Sequence, residues 1–176
     1  MNNPKPHSFK VVLLGDGRVG KTSLVLRYVN DIFNDQQQAT VQASFLTKRI
    51  LIRAALLVYD IMDNDSFIRV TNWVKELQQM ASKSIIMAIA ANKSDLVRAK
   101  QFNLEEAESY ATSIGAKLFM TSAKVGTGID EVFLDIATRV LQKKLSTEGL
   151  SPPRPKKGML IIDDEPEKEQ QLKCCS

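Results

Sequence analysis

The chain has 176 residues, of which 44% are hydrophobic and 25% are charged. This composition excludes a collagen, a disordered acidic chain and a small disulfide-stapled peptide, and the length allows one domain. The net charge of +4 is unevenly divided: residues 1–145 carry 19 basic and 14 acidic side chains, and residues 146–176 carry five and six. The basic residues are scattered without an accompanying aromatic motif, so we expect no nucleic acid as partner.

The composition of the chain changes after residue 145. Residues 1–145 are long and apolar enough to form a packed domain, whereas residues 146–176 are rich in Pro, Lys and acidic residues and predict a flexible tail. The two cysteines, Cys174 and Cys175, are neighbours and cannot close a disulfide loop. They suggest lipid attachment, with an ordinary exposed pair as the alternative. No signal peptide or membrane-spanning run is present, so we expect a cytosolic protein.

Hydrophobic periodicity predicts nine elements in the order β-α-β-β-α-β-α-β-α. In the first half they are a buried strand at 9–14, a helix at 21–30, an edge strand at 44–52 after a polar loop at 32–42, a buried strand at 54–60 and a helix at 63–80 capped by Asp63 or Asp65. In the second half they are a strand at 85–91, a helix from Asn103 to Gly115, a strand at 117–120 and a last helix opened by Thr127 or Asp130. This alternation predicts an α/β fold with a mainly parallel sheet covered on both faces.

A glycine-rich segment joins the first strand to the first helix and fits the phosphate-binding pattern G-x-x-x-x-G-K-[ST]. Its glycines let successive backbone N–H groups surround a phosphate, and the helix N-terminus favours an anion. Lys21 would reach the β- and γ-phosphates, and the hydroxyl of Thr22 would bind Mg²⁺. The predicted phosphate-side residues are Gly15, Asp16, Gly17, Arg18, Val19, Gly20, Lys21, Thr22 and Ser23.

Two further polar segments follow strands and should lie at the same edge of the sheet. Asn92-Lys93-Ser94-Asp95 follows the strand that ends at Ala91, and Ser122-Ala123-Lys124 follows the strand that ends near Met120. The carboxylate of Asp95 suits the N1–H and the exocyclic amine of guanine, a donor pair that adenine lacks. An ordinary polar turn is the alternative for each segment alone. Together with the phosphate loop, they predict a guanine nucleotide.

These motifs, and the residues around them, are similar to those of the Ras-like small GTPases, and specifically of the endosomal Rab branch. The segments that carry the resemblance are 8–15, 22–28, 42–47, 72–77, 106–111 and 161–166. The resemblance implies the three-layer P-loop NTPase fold, GTP and GDP as ligands, Mg²⁺ as cofactor and hydrolysis of GTP to GDP. It also implies that Thr40 binds Mg²⁺ beside Thr22 and senses the γ-phosphate, and that Phe33 packs against the guanine.

The same resemblance assigns the residues that contact the base. It implies that Asn92 and Asp95 read the guanine, that Lys93 lies across the ring system and that Lys124 packs on the other side of it. The backbone N–H of Ala123, beside Ser122, would donate to the guanine oxygen.

For the tail, the resemblance implies geranylgeranyl groups on Cys174 and Cys175, with residues 146–176 as a tether. The expected protein is a monomer on the cytoplasmic face of endosomal or Golgi-type membranes and in the cytosol. Its expected protein partners are a prenylation escort, a GDP-dissociation inhibitor, an exchange factor and effectors.

One motif of the resemblance is missing. Members carry Asp-Thr-Ala-Gly-Gln in the second switch, and no segment of this chain matches it. The domain at 1–145 is therefore expected to be truncated around 52–54 by about thirty residues, a strand, a loop and a helix, through a skipped exon or an incorrect gene prediction. Because the Gln orients the attacking water, we assign no catalytic residue and expect slow or absent hydrolysis.

Three other interpretations remain open on the sequence. The chain is a GDP-preferring or nucleotide-free decoy that still takes prenyl groups, it does not fold, or it is an ATP-using P-loop kinase. The kinase is the least favoured, because the segments at 92–95 and 122–124 have no role there.

Overall fold

The fold is taken from a computed structural model that describes residues 9–38, 52–80, 85–97 and 104–148. The strands are β1 (Lys10–Leu14), β2 (Ile52–Asp60), β3 (Ile86–Asn92) and β4 (Lys117–Met120). The helices are α1 (Lys21–Asn30), α2 (Asn64–Met80), α3 (Leu104–Ser113) and α4 (Ile129–Glu148), and a short 3₁₀ turn spans Ser94–Leu96. The predicted α/β class is confirmed.

The four strands form one parallel sheet in the order β1-β2-β3-β4. Leu14 pairs with Leu57, Asp60 with Asn92, and Ala91 with Met120. The carboxyl ends of the strands therefore lie along one edge, where parallel α/β sheets bind their ligands.

The core occupies both faces of the sheet, because β2 and β3 are buried on both sides. Side chains at alternate positions of β2 point to opposite faces. Those at 55, 57 and 59 pack with α2 and α3, and those at 54, 56 and 58 pack with α1 and α4. Strands buried on both faces have continuous runs of apolar residues, and these runs are why the strands could be predicted from the sequence.

The N-termini of two helices differ in how far they match the sequence prediction. Helix α2 is capped by Asp63, whose Oδ1 accepts hydrogen bonds from the backbone N–H groups of Asp65 and Ser66 at 3.0 and 3.4 Å. Helix α4 begins at Ile129, between the two predicted starts at Thr127 and Asp130. The backbone oxygen of Thr127 instead accepts a hydrogen bond from Ser122.

Helix α4 continues to Glu148, past the predicted end of the domain at residue 145. Leu145 is buried in that last part of the helix. Residues 149–176 lie outside the described part of the chain, so the tail prediction stays a prediction. Within the described ranges, no helix is long and apolar enough to cross a membrane.

The junction between the two strands predicted at 44–52 and 54–60 is only partly described. Ile52 and Arg53 belong to the buried strand β2, and residues 44–51 lie outside the described ranges. The pairing of β1 with β2 shifts there: Lys10 pairs with Ile52 but Val11 pairs with Ala54. Exposed Arg53 is therefore an extra residue, as in a β-bulge. Among the described strands, β1 pairs with β2 alone.

Candidate functional site

Three polar segments meet at the carboxyl edge of the sheet. The glycine-rich loop at 15–20 follows β1, the segment 92–95 begins at the end of β3, and the segment 122–124 follows β4. Hydrogen bonds connect all three. The structure thus brings together the phosphate-side and base-side residues that the sequence predicts.

Close approaches to atoms of β2 and β3 explain two glycines of the first loop. A Cβ on Gly15 would lie 2.1 Å from the backbone oxygen of Val58, and one on Gly20 would lie 2.4 Å from Nδ2 of Asn92. Both residues also have positive φ angles, of 150° and 95°. Residues with side chains would push the loop away from the strands that position it.

The ammonium group of Lys21 lies inside the loop. Its Nζ donates hydrogen bonds to the backbone oxygens of Gly15 and Asp16, at 3.0 and 2.8 Å. Burial lowers the pKa of Lys21, an effect that the nearby Asp16 carboxylate partly offsets. A positive charge that burial disfavours gains from an added anion. Thr22 follows with an exposed side chain, and Ser23 is half-buried.

Asn92 connects the phosphate loop to the third segment. Its side chain is 1% exposed. The amide Nδ2 donates to the backbone oxygen of Val19 at 2.8 Å, and Oδ1 accepts from Thr121 Oγ1 and from the backbone N–H of Ala123, both at 3.3 Å. One buried amide therefore holds the loop after β1 and the loop after β4 against the end of β3.

A second contact joins the two base-side segments. The hydroxyl of Ser122 donates to Oδ1 of Asp95 at 2.5 Å and accepts from the backbone N–H of Val125 at 3.1 Å. Ser122 is fully buried, whereas Asp95 is exposed. The contact fixes the direction of the Asp95 carboxylate while leaving this side chain accessible to a ligand.

Arg27 of α1 is a residue of the site that the sequence motifs did not indicate. Its Nε donates to the backbone oxygen of Ala123 and its Nη2 to that of Lys124, both at 2.8 Å. Its Nη1 forms an ion pair with Asp31 at 2.9 Å. Arg27 therefore fixes the loop that presents the backbone N–H of Ala123, and 96 residues separate the two in sequence.

Two ion pairs add further residues to the edge. Lys93 Nζ lies 2.6 Å from Oδ2 of Asp60, the last residue of β2. Arg69 of α2 pairs with the Asp16 carboxylate. The backbone N–H of Gly17, followed by Arg69, lowers the pKa of Asp16 against the opposing effect of burial. A sequence signal existed for Asp60, because it ends an apolar strand as Asn92 does.

The remaining predicted site residues have no described contact with the three segments, lie within the third segment, or fall outside the described ranges. Phe33 is half-buried and packs against the core on the α1 and α4 side of the sheet. The side chain of Lys124 is exposed. Thr40, Cys174 and Cys175 lie outside the described residues, so their roles stay predictions.

The metal site is judged from the donors present. Thr22, an exposed residue that carries a hydroxyl, follows Lys21 at the start of α1. In the described ranges, no group of three or more His, Cys, Asp or Glu side chains is placed to hold a metal ion. The donors fit a Mg²⁺ ion bound mainly through phosphate oxygens and water, as is usual for Mg²⁺ with nucleotides.

Comparison with known proteins agrees with these motifs. The sequence profile of the Ras family matches residues 51–142, and a profile described as Ras of Complex, Roc, domain of DAPkinase, matches residues 10–54. The Ras-related protein Rab-21 of Mus musculus is 42% identical over 207 residues, covering 98% of this chain and 93% of the relative. The chain belongs to the Ras family.

Other Ras-family relatives extend the comparison. The Ras-related protein Rab-21 of Homo sapiens is 43% identical over 208 residues, covering 98% of this chain and 92% of the relative. The protein of the same name in Dictyostelium discoideum is 39% identical over 206 residues, covering 96% and 97%. The resemblance to Rab-type members is confirmed, and the parallel sheet is consistent with the small-GTPase fold.

Proposed function

We propose that this Ras-family chain is a Rab-type switch protein that binds GDP and GTP in endosomal vesicle traffic. The observation that carries the proposal is the buried Asn92 side chain, which bonds to Val19 in the phosphate loop and to Ala123 in the base-side loop. A chance glycine-rich turn has no reason to be fixed to two other loops at a ligand-binding edge.

The phosphates are proposed to bind at the start of α1. The Lys21 ammonium would exchange its two backbone carbonyl partners for phosphate oxygens, which carry full negative charge and form stronger hydrogen bonds. Thr22 would hold Mg²⁺ together with phosphate oxygens and water, and Thr40 is proposed as a further ligand. The ion would neutralise part of the phosphate charge.

The guanine is proposed to bind between the second and third segments. Asp95, directed by Ser122, would accept hydrogen bonds from N1–H and the exocyclic amine. The Ala123 N–H, whose bond to Asn92 is long at 3.3 Å, would also donate to the guanine oxygen, so that the two acceptors share it. Lys93 and Lys124 would lie on the two sides of the ring, and Phe33 would contact its edge region.

Hydrolysis is proposed to be very slow or absent. The chain carries no Asp-Thr-Ala-Gly-Gln motif, so it lacks the Gln that orients water. The alignment with the murine relative covers 207 residues and the chain has 176, which supports a segment missing from this chain. The alternative function is that of a decoy that prefers GDP, does not bind GTP and still takes prenyl groups.

Membrane attachment is proposed through geranylgeranyl groups on Cys174 and Cys175, with the residues after the end of α4 at Glu148 as a tether. A prenylation escort and a GDP-dissociation inhibitor would handle the lipidated form, and an exchange factor and effectors would bind the switch. Mass spectrometry of the protein expressed in animal cells should show two added geranylgeranyl groups. An unmodified Cys174-Cys175 pair in the membrane fraction would contradict this part.

The binding proposal is tested by titrating the full chain with fluorescent GDP, with GTP and ATP as competitors. We expect GDP to compete and ATP to fail at a hundredfold excess. Asp95→Asn should weaken GDP binding by at least a hundredfold and improve binding of xanthosine diphosphate, whose oxygen at position 2 replaces the amine. Asp65→Asn, on an exposed turn of α2, is the matched control and should change neither.

Competition by ATP as strong as by GDP would refute the guanine assignment. Absence of binding together with a non-cooperative thermal transition would show that the chain does not fold. Single-turnover hydrolysis as fast as in an intact Rab-21 relative would contradict the loss of hydrolysis, and binding of GDP without GTP would establish the decoy.

A further inference from the structure

Asp60 is held in place from three directions at the end of β2. Its Oδ1 accepts a hydrogen bond from the backbone N–H of Met62 at 3.0 Å, and its own N–H donates to the fully buried Ser66 Oγ at 3.0 Å. Its strand partner is Asn92. The side chain is 16% exposed, so the carboxylate is largely withdrawn from solvent.

Lys93 has an unusual backbone for a residue with a side chain. Its φ is 64°, in the left-handed region, between the end of β3 and the 3₁₀ turn at 94–96. Such a conformation costs free energy for a residue other than glycine. The side chain is 34% exposed, and its Nζ lies 2.6 Å from Oδ2 of Asp60. The ion pair therefore fixes a long, otherwise mobile side chain in a single direction.

We propose that Asp60 is a positioning residue that holds Lys93 along the face of the bound guanine and thereby slows the release of the nucleotide. The inference rests on the proposed function, in which Lys93 lies across the ring system. A lysine without an anchor samples many rotamers and loses entropy when a ligand orders it. Anchored by Asp60, Lys93 has already lost that freedom before the nucleotide arrives.

Asp60→Asn is the direct perturbation. Asparagine keeps an oxygen for the Met62 N–H and nearly the same volume, but it removes the charge that holds the Lys93 ammonium. Loss of a partly exposed ion pair corresponds to a change of about fivefold. We therefore expect fluorescent GDP to leave the Asp60→Asn protein about five times faster than the unaltered protein.

The chain offers a matched control at the opposite end of the sheet. Asp135 of α4 is 13% exposed and pairs with Lys117, the first residue of β4, at 2.5 Å. It also pairs with Arg139 at 2.6 Å. Asp135→Asn therefore removes a similar carboxylate, equally buried and also paired with a lysine, far from the carboxyl edge. Its GDP release rate should change by less than twofold.

A double-mutant cycle separates positioning from general destabilisation. Lys93→Met keeps the aliphatic chain and should by itself speed GDP release at least as much as Asp60→Asn. Adding Asp60→Asn to Lys93→Met should then change the rate by less than twofold, because Asp60 acts through Lys93. Circular dichroism melts establish whether each variant is folded. If the Asp60→Asn protein does not fold, the Lys93→Met protein alone tests the contribution of the ion pair between Asp60 and Lys93.

The outcomes distinguish this inference from the proposed function. If the unaltered chain fails to retain GDP, the proposed function fails and the role of Asp60 falls with it. If GDP is retained but Asp60→Asn releases it at the unaltered rate, or no faster than Asp135→Asn, only the positioning role is overturned. Multiplicative effects of Asp60→Asn and Lys93→Met would also overturn it.

Discussion

Replacing Asn92 by alanine is expected to destabilise the nucleotide-free protein substantially. The side chain is 1% exposed and takes part in three hydrogen bonds, with Val19, Thr121 and Ala123. Alanine would leave the Val19 carbonyl and the Ala123 N–H buried without these partners. Since water is largely excluded there, the replacement removes contacts that solvent does not restore.

The size of the effect follows from these three contacts. Each hydrogen bond contributes about 1 kcal/mol net, and the bond of 2.8 Å to Val19 should contribute more than the two of 3.3 Å. We expect a loss of about 3 kcal/mol, which is a large part of the total of about 5–15 kcal/mol for a domain. Asn92→Asp should cost at least as much, because it places a carboxylate oxygen against the Val19 carbonyl.

Urea unfolding, followed by circular dichroism, measures this loss. A chelator and phosphatase treatment remove nucleotide first, since a ligand on the native state would add to the apparent stability. With an m value of about 2 kcal/mol/M, the midpoint should fall by about 1.5 M. Asn34→Ala is the control: Asn34 is exposed and its Oδ1 accepts one local bond from the Gln36 N–H at 2.9 Å. Its expected loss is below about 0.5 kcal/mol.

Equal midpoints for Asn92→Ala and Asn34→Ala would refute the reasoning, because the buried connection between loops would then contribute no more than a surface turn. An unchanged midpoint in Asn92→Asp would refute the orientation of the amide, in which nitrogen faces Val19.

Three further predictions concern other parts of the structure. Burial raises the pKa of each of the three tyrosines above 10, so the tyrosines of the unfolded chain ionise first. The free energy of unfolding should therefore fall as the pH rises from 10. Tyr59→Phe should reduce the dependence of that free energy on pH in urea titrations, and an unchanged dependence would contradict the burial effect. Arg27→Met removes the donors to the Ala123 and Lys124 carbonyls and should lower the free energy of unfolding in urea by about 2 kcal/mol. The stability of Arg27→Lys should lie between those of Arg27→Met and the unaltered protein. Gly15→Ala should lower the free energy of unfolding by about 4 kcal/mol, because a Cβ there would lie 2.1 Å from the backbone oxygen of Val58. Gly17→Ala should lower it by less than about 1 kcal/mol, because a Cβ there would have no atom within 4 Å. Similar losses for the two variants would show that the loop moves freely.

The sequence predicted the buried strands closely, and the physical reason is their two-sided burial. The strand predicted at 85–91 is observed at Ile86–Asn92, a shift of one residue. A central strand of a parallel sheet has an apolar side chain at every position, so the signal begins and ends sharply. Helix α4 begins two residues after Thr127, which has the chemistry of a helix cap, because the backbone of Thr127 pairs with Ser122.

The candidate site was predictable where its residues belong to local motifs. Asn92 ends β3, Asp95 follows it closely and Ser122 follows β4, and their proximity results from the parallel order of the strands. Arg27 was missed because its importance depends on contacts with residues remote in sequence. Asp60 could have been found from its place at the end of an apolar strand, although its ion-pair partner could not. No pattern within α1 indicates that one arginine reaches the loop after β4.

The extra residue at the start of β2 has a consequence for how much change this fold tolerates. Pairing is shifted between Lys10 and Val11, so that Arg53 has no opposite residue, and the register is regular from Ala54 onward. Because of the bulge, the register of β2 after residue 53 differs by one residue from the register before it. Asp60 is therefore placed by the regular pairing of β2 with its two neighbours from Ala54 onward. A change in chain length immediately before residue 53 can therefore be absorbed at this shifted pair without altering the register from Ala54 to Asp60.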